Sequence, residues 1–141
     1  ARAVPVYDAA GRKVREPSRK TTWPKGCQAG GLLFADPGGL ALLRGEPPAD
    51  LAAVWITEGL TDLARAAVVT AGEAARGGKV RAVLGAASGG FPALRDVRAL
   101  VEAPPSVKVY AATDPDEAGN RYALEVVEAL RPRPVFRYAL E

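Results

Sequence analysis

The sequence predicts an α/β fold in which a mostly parallel, four-stranded sheet is flanked by helices. From about residue 50 onward, short apolar runs alternate with longer amphipathic segments, a pattern typical of parallel sheets covered on both faces. The first 49 residues differ, because they contain short strand patterns separated by glycine and basic residues. We therefore predict a small basic β-rich lobe at 1–49 and an α/β domain at 50–141.

The first unit of the α/β domain begins with an apolar run at 52–57, which predicts a strand ending at Glu58-Gly59. The segment from Leu60 to about Ala75 has apolar residues at helical spacing. Gly77-Gly78 is typical of the end of a helix. The buried face of this helix is expected to comprise Leu60, Leu63, Ala67, Val68 and Ala71.

Three further strands are predicted at 80–85, 107–113 and 134–139. A helix with Leu94, Val97 and Val101 facing inward separates the first two and stops before Pro104-Pro105. The last predicted helix runs from Glu117 to about Leu130. Its apolar stripe is formed by Ala118, Tyr122, Val126, Ala129 and Leu130.

The N-terminal lobe begins with two strand patterns, at 4–8 and 13–15, around a turn that contains Gly11, which predicts a hairpin. Its charge is uneven with respect to the rest of the chain. Residues 1–30 carry seven basic and two acidic residues, whereas the remainder carries twelve basic and fourteen acidic ones. Such a basic front suits a polyanionic partner, although a solvated basic surface has the same composition.

Composition excludes several kinds of site. The chain has no His and a single Cys, which rules out an intrachain disulfide, a Cys/His zinc site and a His-based triad. Cys27 therefore has no His to activate it as a nucleophile. Neither a membrane-length apolar stretch nor a signal-peptide pattern is present, so a cytoplasmic location without a membrane partner is expected. Scarce amides, absent Met and abundant Ala, Arg and Pro favour a thermophilic source.

Two acidic motifs follow predicted strands: Glu58 with Asp62, and Asp114-Pro115-Asp116. Open α/β sheets place their sites beyond the carboxyl ends of the strands, so the motifs converge if their strands are neighbours. Converging carboxylates repel one another unless a cation lies between them, and hard oxygen ligands favour Mg²⁺ or Mn²⁺ over zinc. Taken singly, each acid is better explained as a helix cap, a first-turn acid or a solvated strand end. The combination favours a metal site.

In this order, the patterns E-G-x-x-D and D-x-D-x-A-G resemble those of the Toprim family. Its Rossmann-like catalytic fold is shared by bacterial-type primases, type IA and II topoisomerases, recombination mediators and some nucleases. The resemblance covers about Asp50 to Glu141. It implies that Asp114 and Asp116 bind Mg²⁺ or Mn²⁺, that Glu58 is a metal ligand or an acid–base group, and that Asp62 is a further catalytic acid.

The segment before this domain also resembles bacterial-type primases. It contains a Pro-bearing strand, an Asp-x-x-Gly-Arg turn at 8–12 and a second strand, followed by the basic stretch around Trp23-Pro-Lys-Gly26. The resemblance implies the catalytic core of a DNA primase, which acts on single-stranded DNA template and nucleoside triphosphates. The residues expected to contact DNA phosphates are Arg12, Arg15, Arg19, Lys20 and Lys25.

Two alternatives remain at this point: a Toprim nuclease with the same acids and water as nucleophile, and a non-catalytic nucleic-acid-binding module of a replication complex. The sequence departs from a full primase, because it has no Cys/His zinc module and no P-loop motif. We therefore expect the core of a larger phage, plasmid or mobile-element protein, accompanied by a helicase or other replication domains.

Overall fold

The computed structural model describes residues 32–86 and 97–139, together with the backbone of two N-terminal strands, β1 (Val6–Tyr7) and β2 (Lys13–Arg15). These two strands pair antiparallel, as the hairpin prediction requires. The turn at 9–12 and the predicted helix residue Leu94 lie outside the described residues.

The remaining elements form one sheet with helices on both faces. The sheet has five strands in the order β3-β5-β4-β6-β7, of which the last four are parallel and β3 is antiparallel at one edge. The α/β class is therefore confirmed. In chain order the elements are β3 (Leu33–Ala35), α1 (Pro37–Leu43), β4 (Leu51–Thr57), α2 (Leu60–Ala75), β5 (Val80–Ala86), α3 (Arg98–Glu102), β6 (Lys108–Thr113), α4 (Glu117–Ala129) and β7 (Val135–Ala139).

The prediction of four strands is wrong, because β3 adds a fifth. β3 lies within the range 1–49 that was assigned to the small lobe, and it pairs with β5 of the α/β domain. The carboxylate Oδ1 of Asp36 accepts hydrogen bonds from the backbone N–H of Gly39 at 2.7 Å and of Val83 at 3.0 Å. Asp36 thereby caps α1 and fixes it to the sheet. Three residues are too few to show a strand alternation, although Asp36-Pro37 is typical of a helix start.

The ends of α2 agree with the prediction. Its last turn is closed by Gly77, which has a φ of 79°. The N–H of Gly77 donates to the carbonyl of Ala74 at 3.0 Å, and the N–H of Gly78 donates to that of Glu73 at 2.9 Å. This is the Schellman arrangement, in which the left-handed residue is normally glycine.

The buried face of α2 is not the predicted one. Leu63 is buried as expected, but its buried partners are Ala66 and Thr70. Leu60 is 50 % exposed and Val68 is 74 % exposed. The helix carries apolar residues on more than one side, so periodicity alone does not identify the face that meets the sheet. In α4 the predicted Tyr122, Val126 and Leu130 are buried, whereas Ala118 is exposed and Gly119 and Ala123 are buried instead.

Successive strand residues point to opposite faces of the sheet, so the core has two parts. These two parts differ in size. On one face, α1, α3 and α4 enclose the larger cluster, which includes Ile56, Leu84, Leu100, Val109, Val126 and Leu130. On the other face, α2 forms a small cluster of Leu63, Ala66 and Val83. None of the helices in the described ranges has the length and apolar character needed to cross a membrane.

Candidate functional site

The carboxyl ends of β4 and β6 lie side by side. These two strands are parallel neighbours, and Thr57 pairs with Ala112. Glu58 follows the end of β4, and Asp114 follows the end of β6. Both residues therefore lie at the edge of the sheet that is formed by the carboxyl ends of the strands. From β4 the chain continues to β5 on one side and returns to β6 on the other, which makes this edge the topological switch point where α/β proteins place their sites.

Two more carboxylates lie in the first turns of the helices that begin at this edge. Asp62 is in the first turn of α2, and Asp116 is the N-cap of α4. The charges of Asp62, Asp114 and Asp116 all act on Glu58. The structure thus brings together the four acids that the sequence analysis selected. We call this group, Glu58, Asp62, Asp114 and Asp116, the acidic edge.

Glu58 is the most constrained member of the acidic edge. Burial raises the pKa of its carboxyl, and the charges of Asp114, Asp116 and Asp62 raise it further, while a backbone hydrogen bond from Asp114 opposes the shift. Its Oε1 is buried and lacks a hydrogen-bond partner among the described residues. A buried acceptor among like charges is stabilised by a proton or by a cation.

Gly119 allows the first turn of α4 to approach Glu58. A Cβ at this position would overlap the carbonyl oxygen of Asp114 and would lie 2.8 Å from Glu58 Oε1. The N–H of Gly119 donates to Asp116 Oδ1 at 2.7 Å, so Asp116 does cap the helix, as the simpler interpretation of this residue proposed. A carboxylate has two oxygens, and capping through Oδ1 is compatible with a second role for Oδ2.

The acidic edge fits a hard divalent cation in donor type. It provides only carboxylate oxygens, the ligands that Mg²⁺ and Mn²⁺ prefer, and one of these, Glu58 Oε1, is buried without a partner in the described part of the chain. Within the same ranges, however, no three acidic, His or Cys side chains are already arranged at distances that would hold an ion. The four acids are therefore neighbours that binding would have to draw together.

The sequence analysis missed Arg137 of β7. Its Nη2 donates to the carbonyl oxygen of Asp114 at 2.9 Å, and its Nη1 donates to Asn120 Oδ1. Arg137 therefore connects β7 to both the Asp114 loop and the first turns of α4. A single Arg in the last predicted strand resembles an ordinary surface residue, so the sequence alone provides no reason to select it.

Two buried residues, Thr57 and Tyr122, lie near Glu58 inside the protein. The buried Thr57 hydroxyl lies 3.2 Å from the carbonyl oxygen of Leu84 and 3.3 Å from that of Gly59, which fixes the chain on both sides of Glu58. Tyr122 is buried in α4, and burial together with the Glu58 charge raises the pKa of its phenol above the usual value. Thr57 therefore positions the backbone next to Glu58, and both Thr57 and Tyr122 are too deeply buried to meet a large substrate.

The predicted DNA-contacting residues belong to the N-terminal lobe. Arg12, Arg19, Lys20 and Lys25 lie outside the described residues, and only the backbone of Arg15 is described, in β2. Their contact with DNA stays a prediction. Comparisons of the chain with protein-family models, with curated proteins and with solved structures found no match.

The raised pKa of Glu58 predicts a specific stability profile. A carboxyl whose pKa is higher in the folded state stabilises the fold below its unfolded pKa, and this contribution is lost as the pH rises through the folded pKa. In metal-free buffer, Glu58→Gln should therefore unfold at a higher urea concentration than wild type at pH 7.5, and the advantage should shrink at pH 4.

The matched control is Glu117→Gln, which removes an exposed carboxylate from the first turn of α4. Glu117 interacts favourably with the helix dipole, so this variant should be slightly less stable than wild type at pH 7.5. The stability difference between Glu58→Gln and wild type is compared at the two pH values. If the variant gains less stability at pH 7.5 than at pH 4, burial and the neighbouring acids do not raise the pKa of Glu58.

Proposed function

We propose that this chain is a Toprim-type catalytic domain that carries out metal-dependent phosphoryl transfer on nucleic acid, as the core of a DNA primase. One observation carries the proposal: Glu58 and Asp114 leave neighbouring parallel strands at the topological switch point. Asp62 lies in the first turn of α2, and Asp116 is the N-cap of α4. Helix capping explains Asp116 alone, but it does not explain why Glu58 and Asp114 follow the carboxyl ends of two neighbouring strands.

The residues of the acidic edge have different roles in this proposal. Asp114 and Asp116 are the metal ligands, Glu58 is a ligand or an acid–base group, and Asp62 is an additional acid beside it. When bound, Mg²⁺ or Mn²⁺ supplies charge neutralisation at the phosphates and a lower pKa for the attacking hydroxyl. Arg137 holds the Asp114 backbone in place through the hydrogen bond at 2.9 Å, so it is a positioning residue.

The primase assignment depends on the N-terminal segment. The antiparallel pairing of β1 and β2 supports the hairpin on which the resemblance rests. The proposed substrates are a single-stranded DNA template and nucleoside triphosphates, and Arg12, Arg15, Arg19, Lys20 and Lys25 are the proposed phosphate contacts. We further propose that a replication helicase or related domains act with this core.

Primer synthesis by residues 1–141 tests the proposal. The chain is incubated with single-stranded DNA and labelled ribonucleoside triphosphates, with Mg²⁺, with Mn²⁺ or with EDTA. We expect short labelled products with either metal and none with EDTA. Cleavage of the DNA without primer synthesis would indicate that the chain is a nuclease that uses the same acids, and not a primase. If neither primer synthesis nor DNA cleavage occurs with Mg²⁺ or Mn²⁺, a catalytic role for the acidic edge is contradicted.

A further inference from the structure

One face of the sheet is not covered over β6 and β7 by any helix of the described ranges. Trp55, Tyr110 and Phe136 are paired across β4, β6 and β7 and therefore lie on the same face, which is also the face that α2 covers over β5. Tyr138 is two residues beyond Phe136 on β7 and shares this face. Phe136 and Tyr138 are each 48 % exposed. We call these four aromatic residues, Trp55, Tyr110, Phe136 and Tyr138, the aromatic face.

The rings of the aromatic face form two contacting pairs. Trp55 and Tyr138 are stacked, with ring centroids 5.1 Å apart and planes at 23°. Tyr110 and Phe136 are tilted, with centroids 5.6 Å apart and planes at 39°. Since Phe136 and Tyr138 are both about half exposed, each pair presents a ring to a molecule above the sheet.

Cations border these rings. The guanidinium of Arg81 lies 5.4 Å from the Trp55 ring centroid, and Lys108 Nζ lies 6.0 Å from that of Phe136. A pocket of about 320 Å³ is lined by Trp55, Tyr110 and Tyr138 of the aromatic face together with Arg81 and Lys108. Lys79 is a third cation in its wall. No carboxylate is among the described residues that line this pocket. Arg81 also pairs with Glu73, so Lys79 and Lys108 are the cations better placed to meet a ligand.

We propose that the aromatic face binds single-stranded nucleic acid, with bases stacked on its rings and phosphates contacting Lys79 and Lys108. Exposed rings beside cations are the chemistry that recognises unpaired bases on a charged backbone, independently of sequence. The phosphate charge complements Lys79 and Lys108, which face no carboxylate in the described lining of the pocket. This site goes beyond the proposed function and uses none of the acids of the acidic edge.

Oligothymidylate binding in EDTA tests the aromatic face separately from catalysis. Phe136→Leu and Tyr138→Leu keep apolar surface but remove the rings, so each should weaken binding by roughly 5- to 150-fold, the usual cost of one lost stack. The control Leu124→Ala changes an apolar side chain of α4 that is 64 % exposed and should leave binding unchanged. The binding assay contains EDTA and does not depend on catalysis. A failure of primer synthesis therefore does not affect its result.

The salt dependence of oligothymidylate binding tests whether Lys79 and Lys108 contact phosphates. Lys79→Ala with Lys108→Ala should reduce the slope of log affinity against log salt by about 1.4, at about 0.7 for each phosphate contact. Arg44→Ala with Arg65→Ala removes two exposed cations elsewhere and should leave the slope unchanged. An unchanged slope in the Lys variant, with unchanged affinity in both Leu variants, would overturn the proposal.

Photo-cross-linking of the wild-type chain gives an answer that does not depend on the variants folding. Oligothymidylate containing 5-iododeoxyuridine should cross-link to Trp55, Phe136 or Tyr138, as identified by mass spectrometry. Cross-links confined to other residues would overturn the proposal. A dimer that the Leu variants dissociate, with DNA affinity unchanged, would also overturn it, because the face would then be covered by a second copy of the chain.

Discussion

Asp114→Asn should abolish metal-dependent catalysis while leaving the fold at least as stable as in wild type. Metal-assisted charge stabilisation contributes several kcal/mol to such reactions, so the expected loss of primer synthesis is about 100-fold or more. Asp114 is exposed, and its charge acts unfavourably on Glu58. Asparagine removes this repulsion, so the melting temperature in EDTA should stay the same or rise.

Variants at Asp116 separate metal binding from helix capping. Asp116→Asn keeps a side-chain oxygen that can accept from Gly119 N–H, whereas Asp116→Ala removes the cap seen at 2.7 Å. Both should lose activity, but only the Ala variant should be destabilised, by about 1 kcal/mol. Thermal unfolding in EDTA and primer synthesis are measured together. Near-wild-type synthesis by Asp114→Asn would exclude Asp114 as an essential ligand.

Gly119→Ala should damage both the fold and the acidic edge. The added Cβ would overlap the Asp114 carbonyl oxygen and approach Glu58 Oε1 to 2.8 Å, so the Asp114 loop or the start of α4 must move. Forcing an atom into such a packed position costs about 1–3 kcal/mol. We therefore expect a lower urea midpoint and a loss of primer synthesis comparable to that of Asp114→Asn.

The control is the same substitution at Gly72, near the carboxyl end of α2. There the nearest atom to an added Cβ is Arg76 Nη1, at 3.5 Å, which is ordinary contact with a flexible side chain. Gly72→Ala should stabilise the protein by roughly 0.5–1 kcal/mol, because alanine is the better helix former. Equal effects of the two substitutions would mean that α4 does not approach Glu58 as closely as described.

The strands and the acids were predictable because their signals are local. A run of apolar residues ending in Glu58, or in Asp114-Pro115-Asp116, identifies a strand and its carboxyl end without knowledge of the rest of the chain. The sequence analysis made the convergence of the acids conditional on adjacent strands, and the pairing of β4 with β6 meets this condition. The four acids thus lie at one edge, as expected.

Features that depend on long-range packing were not predictable. β3 is only three residues long, and its place at the sheet edge depends on pairing with β5, far along the chain. The role of Arg137 requires β7 to lie beside β6. The exposure of Phe136 and Tyr138 depends on α2 lying over β5 instead of β7. Residue spacing within one element contains no information on these arrangements.

Mn²⁺ titration of the ¹⁵N-labelled chain, followed by paramagnetic broadening of backbone amide signals, shows whether the acidic edge binds a divalent cation. If the acidic edge holds a divalent cation, the signals of Gly59, Asp114 and Gly119 broaden first, and excess Mg²⁺ restores them. Those of Leu51 and Val107, near the opposite ends of β4 and β6, stay sharp. If these signals do not broaden, or if broadening begins elsewhere, the acidic edge is not a metal site.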